Sequence, residues 1–127
     1  MSALVEAQDI AFSYDSRKVF ASVNLRIGRG EAVGVAGPNG SGKSTLLWCL
    51  LGLRRPAAGR VQRNGRAAAV FQNPEDQLFM PSLMEDLALP LLNRGTGRAE
   101  AERRARQALA AVGLEGLAAR EASQLSL

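Results

Sequence analysis

The chain has 127 residues, 46% of them hydrophobic and 22% charged, with a formal net charge of +4. This is the composition of an ordinary globular domain with a real core and excludes a disordered or fibrous chain. A single cysteine, Cys49, excludes an internal disulfide, and the lack of any histidine excludes histidine metal sites and histidine acid–base chemistry.

The longest strongly apolar run, residues 46–53, is too short to span a bilayer, and the N-terminus lacks the basic-then-apolar order of a signal peptide. A cytosolic protein with a reduced thiol is expected. The basic excess resides largely in one arginine-rich segment with no aromatic residues between the arginines, which fits a solvated face better than a nucleic-acid surface.

Taken in order, Leu4 to Tyr14 carries the apolar residues Val5, Ala7, Ile10 and Phe12, an alternation that slips once and predicts a strand, whole or bulged. A polar turn, 15–18, precedes Val23, Leu25 and Ile27, which alternate with Asn24 and Arg26 as a half-exposed strand would. The short turn makes the two an antiparallel pair. Residues 31–36 form an apolar run of the kind a buried parallel strand shows.

Residues 37–45, Gly-Pro-Asn-Gly-Ser-Gly-Lys-Ser-Thr, fit the phosphate-loop pattern of glycine, four residues, glycine, lysine and a hydroxyl residue. Several backbone N–H groups must meet a triphosphate at once. Gly37, Gly40 and Gly42 permit the tight curl and remove the Cβ atoms that would block approach. A helix starting near Lys43 and closed by Gly52 aims its unpaired amides and positive dipole end at the same anion. Lys43 reaches the β- and γ-phosphates, and the Ser44 hydroxyl is a ligand for Mg²⁺. Asn39, Ser41 and Thr45 complete the candidate binding loop.

A loop over 54–59, a short strand over 60–63, an Asn64-Gly65 turn and a second buried strand over 67–71 are expected next. The character then changes. Asn73 to Asp76 is a loop, Ser82 to Glu85 a capping box that starts a helix, and Pro90 limits or kinks it. After a linker at 93–97, Ala101, Ala105, Ala108, Leu109 and Val112 define one face of a helix closed by Gly113. Glu100–Arg104 and Glu102–Arg106 are its expected i,i+4 pairs.

These separated stretches together resemble the N-terminal half of the ATP-binding subunit of an ABC transporter. Residues 70–79, Val-Phe-Gln-Asn-Pro-Glu-Asp-Gln-Leu-Phe, are most similar to the energy-coupling-factor and cobalt/nickel importer ATPases. The resemblance implies an α/β fold: a P-loop NTPase (RecA-like) core with an antiparallel β layer and the start of an α-helical subdomain, truncated. It divides the chain into a nucleotide-binding core, 1–72, and a glutamine loop with partial helical subdomain, 73–127.

It also implies roles. Tyr14 would stack on the adenine of ATP, residues 37–45 would hold the phosphates, and Gln72 would reach Mg²⁺ and the attacking water, so that Lys43 and Gln72 carry the catalytic work. Residues 73–79 and the helix after Ser82 would receive a transmembrane transporter subunit, on the inner face of the cell membrane. A second ATP-binding subunit would close against this one head to tail.

The departures bear on turnover. Leu125-Ser126-Leu127 stands where the family's Leu-Ser-Gly-Gly-Gln would begin, with leucine at the first glycine position. The acidic strand and the switch histidine of the family do not occur in these residues, so the chain alone is expected to bind Mg·ATP and hydrolyse it slowly or not at all. Other readings stay open: a nucleotide-binding module without turnover, or an ABC-type ATPase acting on DNA or ribosomes. The absence of an Asn-Lys-x-Asp segment disfavours a GTPase.

Overall fold

The computed structural model describes residues 3–121 and 124–125. They fall into two compact units, residues 1–69 and 70–127, taken here one at a time.

The first unit is built on an antiparallel sheet in the order β2-β1-β3, with β1 (Val5–Tyr14) in the centre, β2 (Arg17–Ile27) on one edge and β3 (Ala58–Arg63) on the other. The slip in the apolar pattern of β1 has a backbone cause. Ala7 opposes Leu25 and Ile10 opposes Val23, so two residues of β1 face one of β2, and Asp9 takes a positive φ of 47°. This bulge re-aims the side chains after it. Ala7, Ile10 and Phe12 therefore all reach one core, although strict alternation would have turned the last two outward.

The bulge is held on both sides. The Asp9 amide donates to Asn24 Oδ1 at 2.9 Å, and Asn24 Nδ2 donates to Asp9 Oδ1 at 2.9 Å. On the opposite edge Gly59 has φ +77°, and a Cβ there would run into the carbonyl oxygens of Gln8 and Asp9. Only glycine lets β3 approach that closely.

Helix α1 (Lys43–Leu51) lays Cys49 and Leu50 onto Ala7, Ile10 and Phe12, with Val5, Val23, Leu25 and Val61 at the margin. Its end is a double-bonded reversal: the Gly52 amide donates to Cys49 O and the Leu53 amide to Trp48 O. Burial pushes the Cys49 thiol upward in pKa, an effect partly offset by Arg54, which keeps it protonated at neutral pH.

Two expectations are corrected here. Residues 31–36 and 67–71 are not strands: neither joins the sheet, and Val33, Val35 and Val70 are exposed. An apolar run becomes a buried strand only when neighbouring strands accept its ladder and helices cover its faces, and none of the described strands pairs with either run. The second strand also begins at Arg17, six residues before its expected start at Val23, so the hairpin turn is only Asp15-Ser16.

In the second unit, α2 (Leu83–Leu92) and α3 (Arg98–Ala111) pack through Ala88, Ala101 and Ala105, with Met84 and Leu91 beside them. Small side chains let the two backbones come close. The N-cap half of the capping box forms, Ser82 Oγ accepting from the Glu85 amide, while Glu85 Oε2 accepts from the Ser82 hydroxyl. The remaining first-turn amides also find acceptors, Leu83 on Arg120 O and Met84 on Ala118 O, each at 3.0 Å, which satisfies a helix end that would otherwise expose orphan donors. Pro90 is accommodated near the C-terminus, where the helix runs two residues further.

The buried stripe of α3 is narrower than expected. Ala101, Ala105 and Leu109 are buried, whereas Ala108 is exposed and Val112 is 67% exposed. Gly113 closes the helix as anticipated, its amide on Ala110 O and the Leu114 amide on Leu109 O. Glu100 pairs with Arg104 at 2.6 Å and also with Arg103 at 2.7 Å. Glu102 turns back to Arg98 at 2.9 Å instead of pairing with Arg106.

Gly59→Ala is expected to destabilise the protein by roughly 1–3 kcal/mol, the usual cost of forcing a side chain into a left-handed backbone, read as a lowered urea midpoint. The two guanidinium hydrogen bonds hold the Glu100 carboxyl at about 2, well below its ordinary value. Because the folded value is the lower one, this pairing supports α3 above the ordinary glutamate range and is lost as pH falls toward 2. Carboxyl NMR titration should show Glu100 returning to the ordinary range in Arg103→Ala/Arg104→Ala.

Candidate nucleotide site

The loop at 37–45 curls in two steps. The Ser41 amide donates to Pro38 O at 3.2 Å across a turn with Gly40 in the left-handed region, and Gly42 (φ +93°) then delivers the chain into α1. A Cβ at Gly42 would strike Val19 Cγ1 at 2.5 Å, and one at Gly37 would meet Ser41 Oγ at 2.9 Å. Both glycines thus serve tight packing of the loop upon itself and upon β2.

Lys43 doubles back over this curl. Its ammonium donates to Gly37 O and to Pro38 O, each at 2.8 Å. The charge is therefore placed within the concave turn by two carbonyl dipoles. No side chain caps the first turn of α1, so the amides of Lys43, Ser44 and Thr45 keep the donor capacity and positive dipole end that suit an anion. Ser44 is exposed, and its hydroxyl belongs to the same turn. The glycine turn, the ammonium drawn into it and the exposed hydroxyl supply the kinds of group that would meet a nucleotide phosphate with its Mg²⁺. Asn39 and Ser41 lie on the exposed rim.

Tyr14, at the end of β1, is brought to the same place. Its hydroxyl lies 3.4 Å from Thr45 Oγ1, and Thr45 is buried. The ring meets Phe12 edge-on at 5.0 Å between centroids. Strand β1 and helix α1 thus join an aromatic ring to the phosphate loop across 31 residues of sequence. The expectation that paired these two stretches rested on family resemblance; the 3.4 Å contact supplies a physical link between them.

Sequence reasoning missed Arg54. Its guanidinium lies over the Tyr14 ring at 5.3 Å and over Trp48 at 5.4 Å. An arginine two residues past a glycine cap was readable as a cation at a helix C-terminus, but its aromatic partners come from different elements.

Gln72 belongs to the second unit, on an exposed bend. Its neighbourhood is ordered by amide groups: Gln77 Oε1 accepts from the Phe71 amide, and Asp86 Oδ1 accepts from the amides of Phe79 and Met80 at 3.0 and 3.1 Å. These bonds leave Phe79 77% exposed. Ser126 lies outside the described residues.

Residues 20–127 match the family described as ABC transporter. A curated protein from Methanocaldococcus jannaschii named energy-coupling factor transporter ATP-binding protein EcfA is 40% identical, over 89% of this chain and 46% of its own length. Another of that name, from Methanothermobacter thermautotrophicus, is 38% identical over 97% of this chain and 45% of its own. Among solved structures, cbiO1 from Clostridium perfringens, part of the ABC transporter complex cbiONQ, superposes with a TM-score of 0.81 at 26% identity, covering 99% of this chain and 57% of that one. A dimeric ATP-binding cassette in a post-hydrolysis state, bound to ADP and Pi, gives a TM-score of 0.78 at 28% identity over 96% and 63%. The chain spans about half the length of the curated relatives it matches.

Proposed function

The chain belongs to the ATP-binding domain family of ABC transporters, and from that premise we propose that it forms the nucleotide-binding part of an importer's motor subunit, of the energy-coupling-factor type. The observation that carries the proposal is the loop over 37–45, in which Lys43 is drawn inside a glycine turn at the uncapped start of α1. Relatives named EcfA support the narrower assignment.

In this reading the amides at 39–45 and the Lys43 ammonium bind the β- and γ-phosphates, exchanging the carbonyls of Gly37 and Pro38 for a stronger anionic acceptor. Ser44 supplies a hydroxyl ligand to Mg²⁺, which when bound neutralises charge on the phosphates. Tyr14 offers its ring to the adenine. Gln72 is assigned to reach the attacking water and the metal. We assign the nucleotide to the core, 1–72, and the transmembrane partner to residues 73–127, where Phe79 and neighbouring apolar groups stand exposed.

The partners proposed are a transmembrane subunit and a second ATP-binding subunit. None of the helices among the described residues is long and apolar enough to cross a membrane, which suits a peripheral position on the cytoplasmic face. By itself the chain is proposed to bind Mg·ATP with slow turnover or none. Phosphoryl transfer needs a polarised, positioned water as well as a cradle, and the acidic strand that supplies it in the family has no counterpart in these residues.

Lys43→Ala should weaken Mg·ATP binding about ten- to a hundredfold, the worth of one or two charge-assisted hydrogen bonds, measured by calorimetry; unchanged affinity would reject the phosphate reading. In the assembled transporter, Gln72→Ala should depress ATP turnover by at least about tenfold while nucleotide affinity stays within about threefold. Equal losses in both would instead mark Gln72 as a binding residue.

A further inference from the structure

Arg54 is the cation whose place the phosphate loop does not explain. The reversal at the end of α1 positions it: the Arg54 amide donates to Trp48 O at 3.1 Å, beside the Leu53 amide on the same carbonyl at 2.9 Å. With the backbone held there, the guanidinium reaches across to the sheet and lies over Tyr14 at 5.3 Å while resting on Trp48 at 5.4 Å. The order is Trp48, Arg54, Tyr14, two rings with a planar cation against both. Both distances fall within the range of cation–π attraction, and guanidinium is the cation best suited to lie flat on a ring.

The Tyr14 ring is thus fixed at three points: by Phe12 at its side, by Thr45 at its hydroxyl and by Arg54 over one face. The first two tie it to the core and to the phosphate loop. The third does neither, because Arg54 is exposed and contributes nothing to the buried cluster. A cation held over one face costs little if that ring is only packing. It matters if the other face has a planar ligand to receive.

We propose that Arg54, backed by Trp48, is a positioning residue for nucleobase recognition: it holds the Tyr14 ring in the attitude from which its free face stacks on the base of a nucleoside triphosphate. The proposal rests on the nucleotide reading of the phosphate loop. It assigns Arg54 to the base end of the ligand and to no part of the phosphate end, so its removal separates the two.

The test compares Mg·ATP with magnesium tripolyphosphate, which offers the phosphates without a base, on the 127-residue chain and its Arg54→Ala and Arg54→Lys variants. Arg54→Ala should bind Mg·ATP about two- to fivefold more weakly, the loss expected for an exposed cation–π contact, with tripolyphosphate affinity unchanged. Arg54→Lys should recover part of the loss. Trp48 is the sole tryptophan, so its emission reports on the stack directly: Mg·ATP should shift it, tripolyphosphate should not, and Arg54→Ala should abolish the shift. Equal weakening of both ligands, or of neither, would overturn the proposal. A chain that binds tripolyphosphate as tightly as ATP would overturn it too while sparing the phosphate loop, whereas a chain that binds neither ligand would reject both readings together.

Discussion

Backbone pairing along both edges of β1 is the constraint on which the first unit depends. The strand is the only one of the three that is bonded on either side, and its bulge at Asp9 decides which residues form the core. Without that bulge Ile10 and Phe12 would face away from Ala7, and α1 would have no apolar floor beneath Cys49 and Leu50. Because α1 is seated by this floor, so is its N-terminus, and with it the turn that holds Lys43. Site and core are therefore one mechanical problem. The register that buries Ile10 also carries Tyr14 to within 3.4 Å of Thr45.

Two different kinds of backbone economy serve the loop itself. The glycines at 37 and 42 are required because a Cβ would collide with Ser41 and Val19, while the left-handed conformation at Gly42 turns the chain directly into a helix with uncapped amides. Most helices satisfy those amides with a side chain, as α2 does with Ser82 and with the carbonyls of Ala118 and Arg120. Within one chain, then, the start of α2 is closed by protein groups, whereas neither α1 nor α3 has a side-chain cap. What sets α1 apart is the Lys43 ammonium drawn into the glycine turn that precedes it, and this pairing of cation and free amides gives the phosphate reading its physical basis.

The second unit is held by a thinner interface. Three alanines with Met84 and Leu91 beside them make the seam between α2 and α3, with Leu83 and Leu109 also buried, while leucines and phenylalanines on its surface stay exposed. Asp86 spends one carboxylate oxygen on the amides of Phe79 and Met80, which fixes the backbone that presents Phe79. Exposed apolar groups on an ordered support are what a docking surface requires, in keeping with the transmembrane partner proposed for this region.

The local readings depended on residues a few positions apart, and those were legible in the sequence: the glycine turn that leads into α1, the Gly52 and Gly113 helix ends, the Ser82 cap, the hairpin and the slip in β1. Each is a short-range rule of backbone geometry or hydrogen bonding, complete within one turn or one bulge. What only the tertiary structure decided involves partners distant in sequence. The runs over 31–36 and 67–71 have the composition of buried strands, yet a strand exists only where another strand accepts its hydrogen bonds, and composition does not say whether one is present. The choice of Arg98 over Arg106 by Glu102, the exposure of Ala108 and Val112, and the placing of Arg54 between Trp48 and Tyr14 follow the same logic. Local chemistry offered several partners in each case, and three-dimensional proximity selected among them.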